Sequence, residues 1–229
     1  MVLGSGLKGE GGNPPDRPLE FLYSDDDLAV INKPPGLLST PGKEETDCAA
    51  ARIRAAFPGA PENPAVHRLD MDTSGVMVFA LNKKAHRELS LQFMERRVAK
   101  GYIALLEGLV EGAGGEILLR FRLDPENRPF QILDPAQGRE ARTLWENLGG
   151  EEFPRASGVF RSRILFTPLT GRTHQLRFSA ACPEGLGCPI LGDRLYGRRG
   201  ERLFLHARNL EFLHPRTGAK MVFFVPPEF

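Results

Sequence analysis

Val66-His67-Arg68-Leu69-Asp70-Met71-Asp72-Thr73-Ser74-Gly75 runs directly into the apolar segment Val76 to Leu81. An apolar run of that length, bounded by turn residues, reads as a buried strand. Asp70 therefore lies on a loop that enters a core strand, where a rigid scaffold can hold one carboxylate in a cleft. A carboxylate so held can act as nucleophile or base without a metal. Taken alone, Asp70 reads more readily as an Asx-turn residue ahead of Thr-Ser-Gly. A second block far downstream, Gly171-Arg172-Thr173-His174-Gln175-Leu176-Arg177, and Lys33-Pro34-Pro35-Gly36-Leu37 upstream tip the balance toward chemistry.

Outward from the Asp70 block, the chain reads as mixed strands and helices without strict strand–helix alternation, which indicates an α+β fold. Leu28 to Ile31 is expected to be a strand, stopped by the two prolines Pro34 and Pro35. A helix is predicted over Thr46 to Ala56, capped by Thr46 or Asp47 and ended by Phe57-Pro58-Gly59. Asn82 is the expected cap of a second helix reaching about Arg96, with Ala85, Leu89 and Phe93 on one apolar face. Tyr102 to Leu106 reads as a strand, followed by strand-like segments near 116–123, 130–134, 140–146 and 159–166. Thr173 to Ala181 looks helical, and strands are expected near 203–205, 210–213 and 220–225. Residues 1–17 are rich in Gly and Pro and are expected to form a disordered tail, leaving 18–229 as one catalytic domain. Gly4-Ser5-Gly6-Leu7-Lys8-Gly9 spells G-x-G-x-x-G, but there is no room for the strand that a dinucleotide fingerprint needs before it.

The 229 residues, 41% apolar and 26% charged, are ordinary for a globular domain able to bury a substantial core. The longest apolar runs are too short to span a bilayer, and Met1-Val2-Leu3-Gly4 lacks signal-peptide features. A cytoplasmic protein with no membrane association is expected. Cys48, Cys182 and Cys188 are odd in number and form no Cys-x-x-Cys pair, so neither a disulfide framework nor a zinc site is expected. The net charge of +1 hides a segregation: Arg161 to Arg208 holds nine arginines, no lysine and only the acids Glu184, Asp193 and Glu201. Lys83, Lys84, Arg87, Arg96, Arg97 and Lys100 form a second basic cluster. Such patches suit phosphate backbones and bases, although solvated faces produce them too.

The Asn32-Lys33-Pro34 segment, the Asp70 block, Lys100-Gly101-Tyr102-Ile103-Ala104, Gln175-Leu176-Arg177 and Cys188-Pro189-Ile190-Leu191-Gly192-Asp193-Arg194-Leu195-Tyr196-Gly197 together resemble the RluA family of pseudouridine synthases, over about residues 20–229. The resemblance implies the pseudouridine synthase α+β fold: a mixed, mostly antiparallel sheet in two subdomains with a central cleft. It implies isomerisation of uridine to pseudouridine in structured RNA, with neither cofactor nor metal. Asp70 would be the catalytic carboxylate, Tyr102 would lie beside it against the target base, and Arg177 would pair with Asp70 and orient it. Arg68 falls at the family's base-flipping position, and a planar guanidinium could replace the extruded uracil in its stack. Arg172, Thr173 and His174 are candidate phosphate or sugar contacts ahead of the predicted third helix. His67 is expected to be structural. Asn32 to Pro41 and Asn127-Arg128-Pro129 draw the likeness toward members that modify both 23S rRNA and tRNA. Many relatives carry an N-terminal S4 RNA-binding domain, for which this chain has no room. Ser179 departs from a histidine often found there, which bears on local RNA contacts. A monomer without an obligatory protein partner is expected.

Two other classes share fragments of the pattern. Asp70-Met71-Asp72-Thr73 is close to the D-x-D-x-T loop of aspartate-nucleophile phosphatases, but that loop follows its strand and needs Mg²⁺ ligands. The basic segments alone would also fit a non-catalytic RNA-binding module. Arg122-Leu123-Asp124 repeats the Arg-Leu-Asp letters but runs into Pro125, so Asp124 reads as a turn residue.

Overall fold

The computed structural model describes residues 18–154 and 157–229, so the expected tail and its G-x-G-x-x-G lie outside the described residues. Alternating side chains explain the heart of the fold. In β2 (Leu28–Lys33) and β3 (Ser74–Ala80), Ala29, Ile31, Met77 and Phe79 point to one face, where they meet α1 (Ala49–Ala56). Leu28, Val30, Val76 and Val78 point to the other face and meet α2 (Lys83–Met94). Both faces of β3 are covered, and all seven of its residues are buried. That is why its sequence is a continuous apolar run rather than an alternation.

The remaining strands are β1 (Glu20–Ser24), β4 (Ala99–Leu105), β5 (Gly114–Leu123), β6 (Gln131–Leu133), β7 (Arg139–Glu152), β8 (Phe160–Pro168), β9 (Leu205–Leu213) and β10 (Lys220–Phe224). They join one sheet in the order β1-β2-β3-β9-β4-β8-β7-β5-β6, with β10 on β9. Pairing is antiparallel except between β3 and β9. Gly75 serves that parallel contact. It has φ +114°, and a Cβ there would run into the backbone of Ala207.

The cleft has a simple origin. The β4–β8 ladder begins only at Tyr102↔Phe166, although β4 starts at Ala99 and β8 continues to Pro168. Beyond that pair, β4 stays with β9 through Ala99↔Glu211, while β8 stays with β7 through Thr143↔Pro168. The sheet thus parts into two halves, each with its own core. The second half packs Phe121, Ile164 and Phe166 against Leu176, Phe178 and Ala180 of α3 (Gln175–Ala181).

Three local expectations need correction. Cys48, not Thr46 or Asp47, caps α1, accepting from the Ala51 N–H at 3.3 Å. A bridge between Leu38 and Cys48 keeps the chain extended up to Cys48, and Asp47 turns instead to Arg52. The strands expected near 203–205 and 210–213 are largely one strand, β9, because β4 pairs along its length. The second helix ends at Met94, not Arg96. Asn82 caps it as expected, accepting from Ala85 N–H at 2.9 Å. Asp124 is the turn residue expected, its carboxylate accepting from Glu126 N–H.

Candidate active site

Where the two halves of the sheet part lies a cleft of about 900 Å³. Its floor is the 67–73 loop with Tyr102, Arg177 and Leu205; one wall is the segment 93–100 and the other is 167–175 with Arg142. Among the described residues, Asp70 is the only carboxylate on that lining, and it faces seven cations: Arg68, Arg96, Arg97, Lys100, Arg142, Arg172 and Arg177. Each basic cluster of the sequence sends part of its charge here, Arg172 and Arg177 from one and Arg96, Arg97 and Lys100 from the other.

Asp70 is held by the upstream block. The buried Lys33 ammonium donates to the carbonyls of Pro34, Leu37 and Met71 at 2.7–2.9 Å. Burial pushes its pKa down to about 7, against the pull of Asp72 and Asp70. Gly36 N–H also donates to Met71 O, and Ser39 both accepts from Leu69 N–H and donates to Leu69 O. A turn bond from Thr73 N–H to Asp70 O closes the loop. Asp72 leaves the cleft lining to pair with Arg194 at 3.2 Å. The two acids of Asp-Met-Asp are thus not a pair acting on one ligand, and Asp70 precedes β3 rather than following it.

Arg177 meets Asp70 as expected, but not chiefly. Its Nη1 lies 3.4 Å from Asp70 Oδ2, while Nε and Nη2 make a bidentate contact with Asp193 at 2.7 and 2.6 Å. Asp193 is 0% exposed and also accepts from Leu195 and Tyr196 N–H. Burial lowers the Arg177 pKa, and Asp193 and Asp70 more than offset this, so the net shift is upward. The guanidinium is a fixed cation that Asp193 anchors and Asp70 shares.

His174 lies beside Asp70, tied to the neighbouring loop through Tyr196. Tyr196 Oη accepts from Gln131 N–H at 3.0 Å and shares a hydrogen bond with His174 Nδ1, also 3.0 Å away. The other ring nitrogen, Nε2, lies 4.0 Å from Asp70 Oδ2. Burial depresses the His174 pKa despite the nearby Asp70. His174 also has φ +55°, a strained geometry for a non-glycine residue. Gln175 secures this loop: its amide donates to Arg142 O and Thr143 Oγ1 and accepts from Thr170 Oγ1 and Arg172 N–H. Arg172 donates from Nε to Glu140 O, and Thr173 is exposed.

Tyr102 lines the floor, with its hydroxyl pKa raised by burial and then by the Asp70 charge, so it is protonated at neutral pH. Arg68 is exposed at the cleft edge. His67 is structural: its Nε2 accepts from Val78 N–H at 3.1 Å and its ring stacks on Phe93 at 4.4 Å. Burial drives its pKa down to about 3. Sequence reasoning missed Asp193, Tyr196 and Gln175 as parts of the site. They lie within the quoted motifs, but nothing in their spacing reveals a partner across the fold.

Outside the cleft, the side chains of Asp25, Asp27 and His214 group within 4.8 Å. His214 Nδ1 accepts from Arg216 and Thr217 N–H, so in the neutral ring Nε2–H donates to Asp25 at 2.8 Å. The trio latches the β9–β10 turn to the β1–β2 turn. No helix among the described residues is long and apolar enough to cross a membrane.

A split, mostly antiparallel sheet of this kind is the fold of a class of RNA-modifying isomerases. The chain belongs to the RluA-type RNA pseudouridine synthases, and the family model described as "RNA pseudouridylate synthase" matches residues 27–181. It is 45% identical over 225 residues to the dual-specificity RNA pseudouridine synthase RluA of Haemophilus influenzae, covering 95% of this chain and 97% of that one. The RluA of Escherichia coli is 42% identical over 228 residues, covering 96% and 99%. Among solved structures, human RNA pseudouridylate synthase domain containing 1 superposes with a TM-score of 0.73 at 32% identity, over 92% of this chain and 84% of that one.

Proposed function

We propose that Asp70 is the catalytic carboxylate, and that the RNAs modified are stem-loops of 23S rRNA and tRNA. In the reaction the uridine N1–C1′ bond breaks, the uracil turns, and a C5–C1′ bond forms while the C5 proton is exchanged for one on N1. One carboxylate suffices, either attacking C1′ or removing a sugar proton to give a glycal. The observation that carries the assignment is that, among the described residues, Asp70 is the one acid on a cleft lined by seven cations. Arg177, anchored by Asp193, orients the carboxylate; Tyr102 packs against the uracil; and Arg68, exposed at the edge, occupies the space the base vacates. Arg172, Thr173 and His174 contact the RNA backbone and sugar beside Asp70.

Dual targeting is supported by the likeness to RluA enzymes whose names carry that specificity, over nearly the whole of both chains. Specific RNA recognition favours loops whose bases can be splayed out. A deep cationic cleft suits a short stem-loop. The enzyme acts as a monomer in the cytoplasm, where such RNAs reside. Pseudouridine mapping of total RNA from cells with and without the gene tests the reading. Loss of one site in each RNA class is expected; loss in a single class removes dual specificity, and no lost site refutes the substrate assignment.

A further inference from the structure

The C-terminus of α2 holds an arginine where the backbone favours glycine. Arg96 N–H donates to Phe93 O at 3.2 Å, and Arg97 N–H donates to Gln92 O at 2.9 Å. These two bonds form a Schellman motif, whose C′ position is left-handed and usually glycine. Here that position is Arg96, with φ +59°. An L-residue with a long side chain is strained there, and glycine would not be.

The strained residue lines the cleft on the segment leading into β4, and Arg142 of β7 and Arg172 after β8 line the other wall. Its neighbour Arg97 pairs with Glu88 and Glu95. Arg96 is exposed and has no acidic partner among the described residues. Strain that persists where the fold does not need it is a mark of function. Met94, beside it on the same wall, is 70% exposed.

We propose that Arg96 is a substrate-binding residue that grips the phosphate backbone of the RNA strand flanking the target uridine. The inference rests on the RNA-modifying reading of the cleft. The left-handed turn aims an unpaired guanidinium into the cavity, where it clamps the strand against the opposite wall. Its contact is with backbone and not base, so it contributes affinity rather than sequence choice.

The experiment compares wild type with Arg96→Gly, Arg96→Lys and Lys83→Ala on a short RNA stem-loop, by steady-state kinetics, filter binding and melting temperature. Glycine keeps the turn and removes the guanidinium, while Lys83 is exposed on the same helix outside the cleft lining. Arg96→Gly should melt at or above the wild-type temperature. It should lower kcat/KM by roughly three- to tenfold through KM, and flatten the slope of log kcat/KM against log salt by about 0.7–0.9. Arg96→Lys should retain most of the slope, and Lys83→Ala should match wild type. The proposal is overturned if Arg96→Gly keeps wild-type affinity and slope, if its loss lies in kcat with a lower melting temperature, or if Lys83→Ala is equally impaired. A stem-loop that wild type leaves unmodified counts against the substrate reading alone, because filter binding of the same RNA still decides the role of Arg96.

Discussion

Asp193→Asn tests whether the site depends on a residue that never touches the substrate. The carboxylate of Asp193 accepts four hydrogen bonds, from Arg177 Nε and Nη2 and from the Leu195 and Tyr196 N–H groups. An amide of the same shape can keep three of them through the Oδ1 position. Its NH2 would then stand at 2.7 Å from Arg177 Nε, donor against donor. The guanidinium, 4% exposed, would keep its Nη2 bond to Oδ1 but lose the Asp193 charge, leaving Asp70 at 3.4 Å as its remaining carboxylate partner among the described residues. Removing one partner of a buried ion pair costs about 3–5 kcal/mol. At about 2–4 °C per kcal/mol for a domain of this size, that is a fall of roughly 10 °C in Tm. Arg177 should then shift toward Asp70, and misplacement of about 1 Å in a catalytic constellation costs on the order of 10²-fold in rate. Urea unfolding and single-turnover pseudouridine formation measure both effects. Adding Arg177→Met should recover part of the stability but none of the activity, with a coupling energy of at least about 1–2 kcal/mol. A stability loss below about 1 kcal/mol with an unchanged rate would refute the anchoring role.

Arg68→Ala should act almost normally on an unstructured oligonucleotide but poorly on a folded stem-loop; equal losses on both contradict a base-flipping role. Tyr102→Phe should retain more activity than Asp70→Asn if the ring acts by packing, and a loss as complete as that of Asp70→Asn would assign the hydroxyl a proton transfer. His67 titrates at about 3 when folded against an ordinary 6.5, so the unfolded chain takes up the proton first. The stability it contributes is complete above pH 6.5 and is lost as pH falls, by about 2 kcal/mol at pH 5. His67→Gln should flatten that part of the pH dependence in urea unfolding, and an unaltered pH profile would exclude His67 as its source.

What could be read from the chain followed physical range. The buried run Val76 to Leu81, the Asn82 cap and the face made by Ala85 and Leu89 are local signals, and the structure reproduces them. The cap of α1 was not legible, because a bridge from Leu38 to Cys48 outranks the better capping residues Thr46 and Asp47. β1 escaped notice as an edge strand with little burial, and the full length of β9 depends on β4, a partner about a hundred positions away. The Asp70 block announced a site through its motif. The Arg177–Asp193 pair and the Gln131–Tyr196–His174 chain did not, because tertiary folding alone brings their members together.

The most direct measurement is pseudouridine formation by Asp70→Asn on a stem-loop RNA, with binding of the same RNA measured in parallel. The substitution keeps the shape of the side chain and removes the charge from the cleft floor. The expected result is a rate lowered by roughly 10³-fold or more with RNA affinity within about threefold of wild type. A rate within tenfold of wild type would contradict the assignment of Asp70 as the catalytic carboxylate.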